Sequence, residues 1–141
     1  MTLNQEIEVF LKDKGAIKVG FASRETLEGP PSADITYVIP KAQSAISYAL
    51  PFDKQIIREY LSKKNFAHHE QNRFELNYKS VKISRELASI LKEKGYESKA
   101  ILSNNNYRKE IKSWRADMPP ILSHRYVAVA SGVGSFGWSG N

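Results

Sequence analysis

The chain opens with apolar side chains at helical spacing. One helical face collects Leu3, Ile7, Phe10 and Leu11. Thr2 and Gln5 have the spacing of a capping box, and Gly15 closes the segment behind Lys12 and Lys14. The pattern predicts a first helix that begins after Thr2 and ends before Gly15.

A second helical pattern is much longer and runs from about residue 70 to residue 94. Its apolar positions form a wide stripe. They are Leu76, Ile83, Leu87, Ile90 and Leu91, flanked by Phe74, Tyr78 and Val81. Because such a stripe is typical of a helix that faces a core, we assign it to packing and not to a cofactor site.

Three segments between the helices have the residue types of strands. They span residues 16–22, 44–52 and 96–102, and we expect the second to be central. Shorter helices are predicted at 54–62, 107–116 and 121–131, and the Gly29-Pro30-Pro31 run breaks regular structure. Alternating helices and strands indicate an α/β or α+β sandwich.

Composition narrows the class of protein. With 141 residues, of which 41% are hydrophobic, the chain is long enough for one core, so we expect a single domain over residues 1–141. No apolar run approaches the roughly 18 residues that a membrane span needs, and the N-terminus is unlike a signal peptide. We expect a cytoplasmic protein with no membrane partner. The absence of cysteine excludes disulfides and cysteine-ligated metal clusters within these residues.

Charge is distributed unevenly along the chain. Residues 54–125 contain sixteen Lys or Arg and eight Asp or Glu, whereas residues 1–53 contain five and seven. A basic surface attracts polyanions, which makes RNA or a phosphorylated small molecule a reasonable partner for the region 54–115. Most of these charges are lysines that alternate with glutamates on a helical pattern, which favours an ordinary solvated helix surface over a polyanion site.

Few side chains have the arrangement of a catalytic or metal site. His68 and His69 are adjacent, so on a helix they diverge by roughly 100° and make a poor metal site. His124 and Asp117 are a conceivable acid/base pair. Asp117 is the better-placed acid, because it precedes two prolines and lies close to an uncharged segment that raises the pKa of a carboxyl group. Its alternative role is that of a helix cap.

The last sixteen residues carry no charge and hold four of the eight glycines. Gly132, Gly134 and Gly137 match the spacing of a dinucleotide-binding loop, with the YVAVA run before them as the conceivable strand. Such a site also needs a helix that opens at the glycines and an acidic residue roughly 20 positions on. The chain stops four residues after Gly137, so we expect either another ligand or a longer protein.

The same residues carry a resemblance to a known family. Asp117-Met-Pro-Pro-Ile-Leu-Ser-His-Arg125 and the motif that follows, with Gly132, Gly134, Phe136, Gly137 and Gly140, resemble epoxyqueuosine reductase and its iron–sulfur relatives. The segment 44–52, which ends in Ala-Leu-Pro-Phe, is similar to a strand of that family. Tyr60 and His69 stand where the family has a Tyr and a His-containing helix start.

The resemblance implies a fold and a chemistry. It implies a nitroreductase-like sandwich of a mixed sheet flanked by helices, which binds cobalamin and is incomplete here. Two 4Fe-4S clusters would belong to a ferredoxin-like module downstream, so this N-terminal part would be inactive alone. Asp117 would be the proton donor, Arg125 an anchor, and the glycines and Phe136 would contact the corrinoid. The family includes tRNA-modifying members, so tRNA is one polyanion to consider.

Two alternatives remain open at this point. One is a non-enzymatic basic module that binds RNA, and the other is a nitroreductase-like flavin domain. A domain without its second half is also expected to expose apolar surface, through which a homodimer could form.

Overall fold

The computed structural model describes residues 1–29, 32–102 and 122–138. Over these residues the chain is an α+β protein with four α-helices and an antiparallel pair of strands. The helices are α1 (Leu3–Asp13), α2 (Lys54–Leu61), α3 (Phe66–Glu93) and α4 (His124–Ala130). The strands are β1 (Lys18–Ser23) and β2 (Ser44–Ala49), and short 3-10 helices occupy Arg24–Leu27 and Ile35–Tyr37.

Local capping chemistry explains where the helices begin. The predicted capping box is present: the Gln5 amide donates to Thr2 Oγ1 at 3.3 Å, and the Thr2 amide donates to Gln5 Oε1 at 2.8 Å. The long helix begins at Phe66 and not near residue 70, because Asn65 caps it by accepting from the His68 amide at 3.0 Å. Gly15 (φ +103°) confirms the predicted end of α1.

The two strands pair in a register that runs from Lys18 opposite Ala49 to Ser23 opposite Ser44. Side chains of a strand alternate between faces, and here each face has its own helices. Phe21 and Ile46 pack against a cluster formed with α1 and α3, whereas Ala22 and Ala45 belong to a cluster formed with α4 and the 3-10 helices. The sheet therefore lies between two helical layers.

Two strand predictions are wrong in part. Residues 96–102 were expected to form a strand, yet the structure shows irregular backbone there. The segment 44–52 was expected to be central, but β2 ends at Ala49 and has β1 as its one strand neighbour within the described ranges. The local residue pattern is typical of strands in both places, whereas pairing depends on a partner that the pattern does not specify.

The apolar stripe of α3 is buried over only part of the helix. Ile83, Leu87 and Leu91 are core residues, together with Ala88. Phe74 and Tyr78, which were predicted to flank the stripe, are 57% and 70% exposed. They lie between the core part of α3 and its start, where Phe66 and His69 contact Tyr60 of α2, a helix with no buried residue of its own.

Two ion pairs fasten α1 to α3 at the protein surface. Lys14 Nζ lies 2.9 Å from Glu86 Oε2, and Lys94 Nζ lies 2.8 Å from Glu6 Oε2. The hydrogen bond from Lys94, with its charge, lowers the pKa of Glu6. No described helix is long and apolar enough to cross a membrane.

Candidate functional site

The glycine-rich tail, residues 131–138, follows α4 directly. The YVAVA run that precedes it lies in α4, so the strand of a dinucleotide-binding loop is missing and that interpretation is wrong here. No helix opens within residues 131–138 either. The prediction of a final helix is confirmed over His124–Ala130.

A helix-stop motif accounts for the first glycine of the tail. Gly132 has a φ of +76°, and its amide donates to the Val129 carbonyl at 3.1 Å. The Val133 amide donates to the Ala128 carbonyl at 2.9 Å. This pair of hydrogen bonds is the Schellman motif, which requires a left-handed residue after the helix. Gly132 therefore has a structural reason to be glycine.

The tail is anchored on β1 through a second glycine that the sequence motif does not contain. Gly20 is buried, and a Cβ placed on it would collide with the Ser131 carbonyl oxygen and lie 2.8 Å from Val133 Cγ2. Backbone-to-backbone packing this close is open only to glycine. The contact fixes the start of the tail against the sheet.

Beyond that anchor the tail is open to solvent. A Cβ on Gly134 would meet no atom within 4 Å. Phe136 is 50% exposed, Trp138 is fully exposed, and no side chain from Ser131 to Trp138 is charged. The exposed tail is thus an uncharged surface of bare backbone and aromatic rings. Asp117 and Gly140, also predicted for this site, lie outside the described residues.

Arg125 lies apart from the tail. It contributes to the wall of a broad groove of about 1280 Å³, which β2, α3 and residues 96–101 also line. The tail follows the last turn of α4, whereas Arg125 is in its first turn, and seven residues of helix span about 10 Å. None of the described glycines of the tail lines the groove to which Arg125 contributes.

An aromatic stack unites three positions of the family resemblance. The ring of His69 stacks on Tyr60 with centroids 4.2 Å apart, and it lies 5.4 Å from the ring of Phe52. The buried Nδ1 atom of His69 has no hydrogen-bond partner among the described residues. His68 points elsewhere, with its Nδ1 3.3 Å from Glu59 Oε2. Sequence spacing gave no sign that Phe52 would join the other two.

The sequence raised two roles for histidines, metal binding by His68 and His69 and an acid/base pair of His124 with Asp117. No group of three potential metal ligands occurs in the part of the chain that the structure describes. The Nε2 atom of His124 lies 3.3 Å from the Ile101 carbonyl oxygen. The pairing of His124 with Asp117 falls outside the described ranges and stays a prediction.

The comparisons with known proteins add no further assignment. No family model, no curated protein and no solved structure matches the chain.

Proposed function

We propose that this chain is the N-terminal, corrinoid-binding part of a cobalamin-dependent iron–sulfur reductase similar to epoxyqueuosine reductase. The observation that carries the proposal is the tail: an uncharged, glycine-rich segment fastened to β1 at Gly20 and open at Gly134. A flat macrocycle can approach bare backbone more closely than it can approach side chains. The open Gly134 and the exposed Phe136 and Trp138 fit such a ligand.

The chain's own residues have distinct proposed roles. Gly132 and Gly20 shape and hold the tail, and Gly134, Phe136, Gly137 and Gly140 would contact the ligand. Arg125, at the other end of α4, would reach a peripheral polar group of a large ligand and not the ring itself. Asp117 would supply a proton to the substrate. The corrinoid would supply electrons from its cobalt, delivered by 4Fe-4S clusters in a downstream module. The nitroreductase-like sandwich belongs to the same proposal.

The Phe52–His69–Tyr60 stack also supports the proposal. The three residues are separated by up to 17 positions in the sequence, and they belong to segments that resemble the reductase family. Convergence of such segments on one cluster is expected if the resemblance reflects a shared fold. An unpaired buried ring nitrogen at its centre costs free energy, and such groups concentrate where function requires them.

Titration with cobalamin tests this function. We expect addition of hydroxocobalamin, and of its reduced cob(II)alamin form, to give a base-off absorption spectrum. Gly134→Val should weaken binding about tenfold or more, since its side chain enters space that is open in the free protein. Gln55→Val, on the exposed surface of α2, is the matched control and should bind normally. An unchanged spectrum at high micromolar corrinoid contradicts the proposal, and a yellow purified protein favours the flavin alternative.

A second candidate function rests on the hairpin of α2 and α3. Lys54, Arg58, Lys63 and Lys64 form no ion pair with any described residue, and Phe66, which follows Lys63 and Lys64 closely in the sequence, is 64% exposed. In proteins that bind single-stranded nucleic acid, cations of this kind bind the phosphates and exposed aromatic rings stack on the bases. We propose RNA, tRNA included, as the polyanion that this hairpin would bind.

The salt dependence of RNA affinity distinguishes binding at this hairpin from attraction by the overall positive charge of the protein. The double variant Lys63→Ala/Lys64→Ala should lower the slope of log affinity against log salt by about 1 to 2. The double variant Lys12→Ala/Lys18→Ala removes the same charge from α1 and β1 and is the control. Equal slopes for the two variants would exclude the hairpin as the binding surface.

A further inference from the structure

The second edge of β2 faces the groove. The Arg24 amide donates to the Gln43 carbonyl at 2.8 Å, which fixes the alternation of the ladder. Gln43, Ala45, Ser47 and Ala49 direct their peptide groups towards β1, so those of Ser44, Ile46 and Tyr48 point away from it. No described strand pairs with this second edge. Ser44 is exposed, whereas Ile46 and Tyr48 are half-buried residues, whose peptide groups require partners that an extended backbone can supply.

Residues 97–101 also line this groove. Their start is held on the α3 layer, where Ser98 Oγ donates to the Ala88 carbonyl at 2.7 Å. Their end lies in the other layer, where Ile101 packs in the cluster of Leu122 and Val127. Ser98 and Ile101 are an odd number of positions apart and occupy opposite faces of the sheet. This is the alternation that a strand would give them.

The order of elements along the chain also fits a strand at this place. β2 leads through α3, which packs on one face of the sheet, to residues 97–101. A strand, a helix on the face of the sheet and a following neighbour strand form a right-handed crossover, in which the two strands are parallel. Five residues are close to the usual length of a strand.

We propose that residues 97–101 are a strap that closes the groove by pairing in parallel with the second edge of β2, which pairs with no strand among the described residues. Over the described residues the structure holds the open arrangement, with two paired strands and a groove of about 1280 Å³. The closed arrangement has a three-stranded mixed sheet in which the peptide groups of Ser44, Ile46 and Tyr48 are paired. The strap controls access to an apolar groove that reaches both helical layers. This device does not depend on which ligand the protein binds.

Engineered cysteines test the closure directly, because the chain has none of its own. Ser47 shares its face of the sheet with Ala45, and in a closed strap Lys99 shares that face with Ile101. Adjacent strands are roughly 4.8 Å apart, which is within the range of a disulfide. We expect Ser47→Cys/Lys99→Cys, or Ala45→Cys/Lys99→Cys if the register is shifted, to form a disulfide under mild oxidation.

The matched control is Ser47→Cys/Ala100→Cys, in which the second cysteine faces the other layer when the strap is closed. Intact mass before and after reduction measures the yield, and we expect about a tenfold excess for one of the Lys99 pairs over this control. Equal yields at positions 99 and 100, or no disulfide in any folded variant, would overturn the proposal.

Hydrogen exchange of the unsubstituted protein gives a second measurement. The amides of Ile46 and Tyr48 should exchange about tenfold or more slowly than in an unstructured peptide, and exchange at the peptide rate would also overturn it.

Discussion

The two halves of α3 share one continuous helix but have opposite environments. From Ile83 to Glu93 the helix is part of the core, with Leu87 and Leu91 buried and with ion pairs to α1 at Glu86 and just beyond its end at Lys94. From Phe66 to about Lys82 it contacts α2 through Phe66 and His69 and β2 through the Ser80 carbonyl. Three aromatic side chains of this half, Phe66, Phe74 and Tyr78, are exposed. Aliphatic residues therefore stabilise the fold in one half, whereas aromatic residues present a surface in the other.

The largest expected effect comes from removing a buried residue of the core half. Leu87→Ala should lower the free energy of unfolding by about 3 kcal/mol, because it leaves a cavity between α1, α3 and the sheet. Tyr78→Ala, on the exposed half, should change it by no more than about 0.5 kcal/mol. Urea unfolding followed by circular dichroism measures both, and similar losses would mean that the two halves do not differ as described.

A substitution in β1 tests whether packing of the tail on the sheet contributes to stability. Gly20→Ala places a methyl group against the Ser131 carbonyl and Val133 and should cost about 1–3 kcal/mol. Gly134→Ala is the matched substitution, and it should leave the unfolding midpoint nearly unchanged because no atom lies within 4 Å of its Cβ. If the two variants are equally stable, the tail is not anchored at Gly20.

The exposed half of α3 should depend on its cap. Asn65→Ala removes the acceptor for the His68 amide and should cost about 1 kcal/mol. We expect faster amide exchange over Phe66–Glu75, with exchange at Leu87 and Leu91 unaffected. Asn65→Asp keeps an acceptor at the cap and should restore the slower exchange. A uniform acceleration along all of α3 would contradict the division of the helix into two halves.

The smallest effect is a pH dependence in the core half. The hydrogen bond from Lys94 holds the pKa of Glu6 below the ordinary value of a glutamate, so the Glu6 carboxyl binds its proton more weakly in the folded chain than in the unfolded one. Its contribution to stability is therefore complete above the unfolded pKa and is lost as the pH falls through the folded one. Glu6→Gln should flatten the decline in stability below about pH 4.5. Glu8→Gln, four residues from Lys12 on the same helix, is the control. An unchanged acid profile in Glu6→Gln would show that this pair contributes nothing.

Local features of the sequence predicted local features of the structure. Thr2, Gln5 and Gly15 specify the ends of α1 through hydrogen bonds within a few residues, and the prediction was accurate there. The start of α3 was placed late because Asn65 was not recognised as a cap. Phe74 and Tyr78 have helical spacing, but spacing does not reveal whether a partner covers them.

Features that depend on distant contacts could not be predicted in this way. The residue pattern of 96–102 predicts a strand, but it does not show whether β2 would pair with that strand. The glycine spacing of the tail suggested a ligand loop, whereas Gly132 proved to serve the end of α4. Gly20, the residue that anchors the tail, lies in a strand 111 positions before Ser131 and belongs to no motif.

The contact at Gly20 also constrains how this protein can change in evolution. A relative with a larger residue at position 20 must carry its tail farther from the sheet, so substitutions at positions 20, 131 and 133 are expected to occur together. Such covariation would be a long-range signal in an alignment, and it would link the second element of the chain to its glycine-rich end.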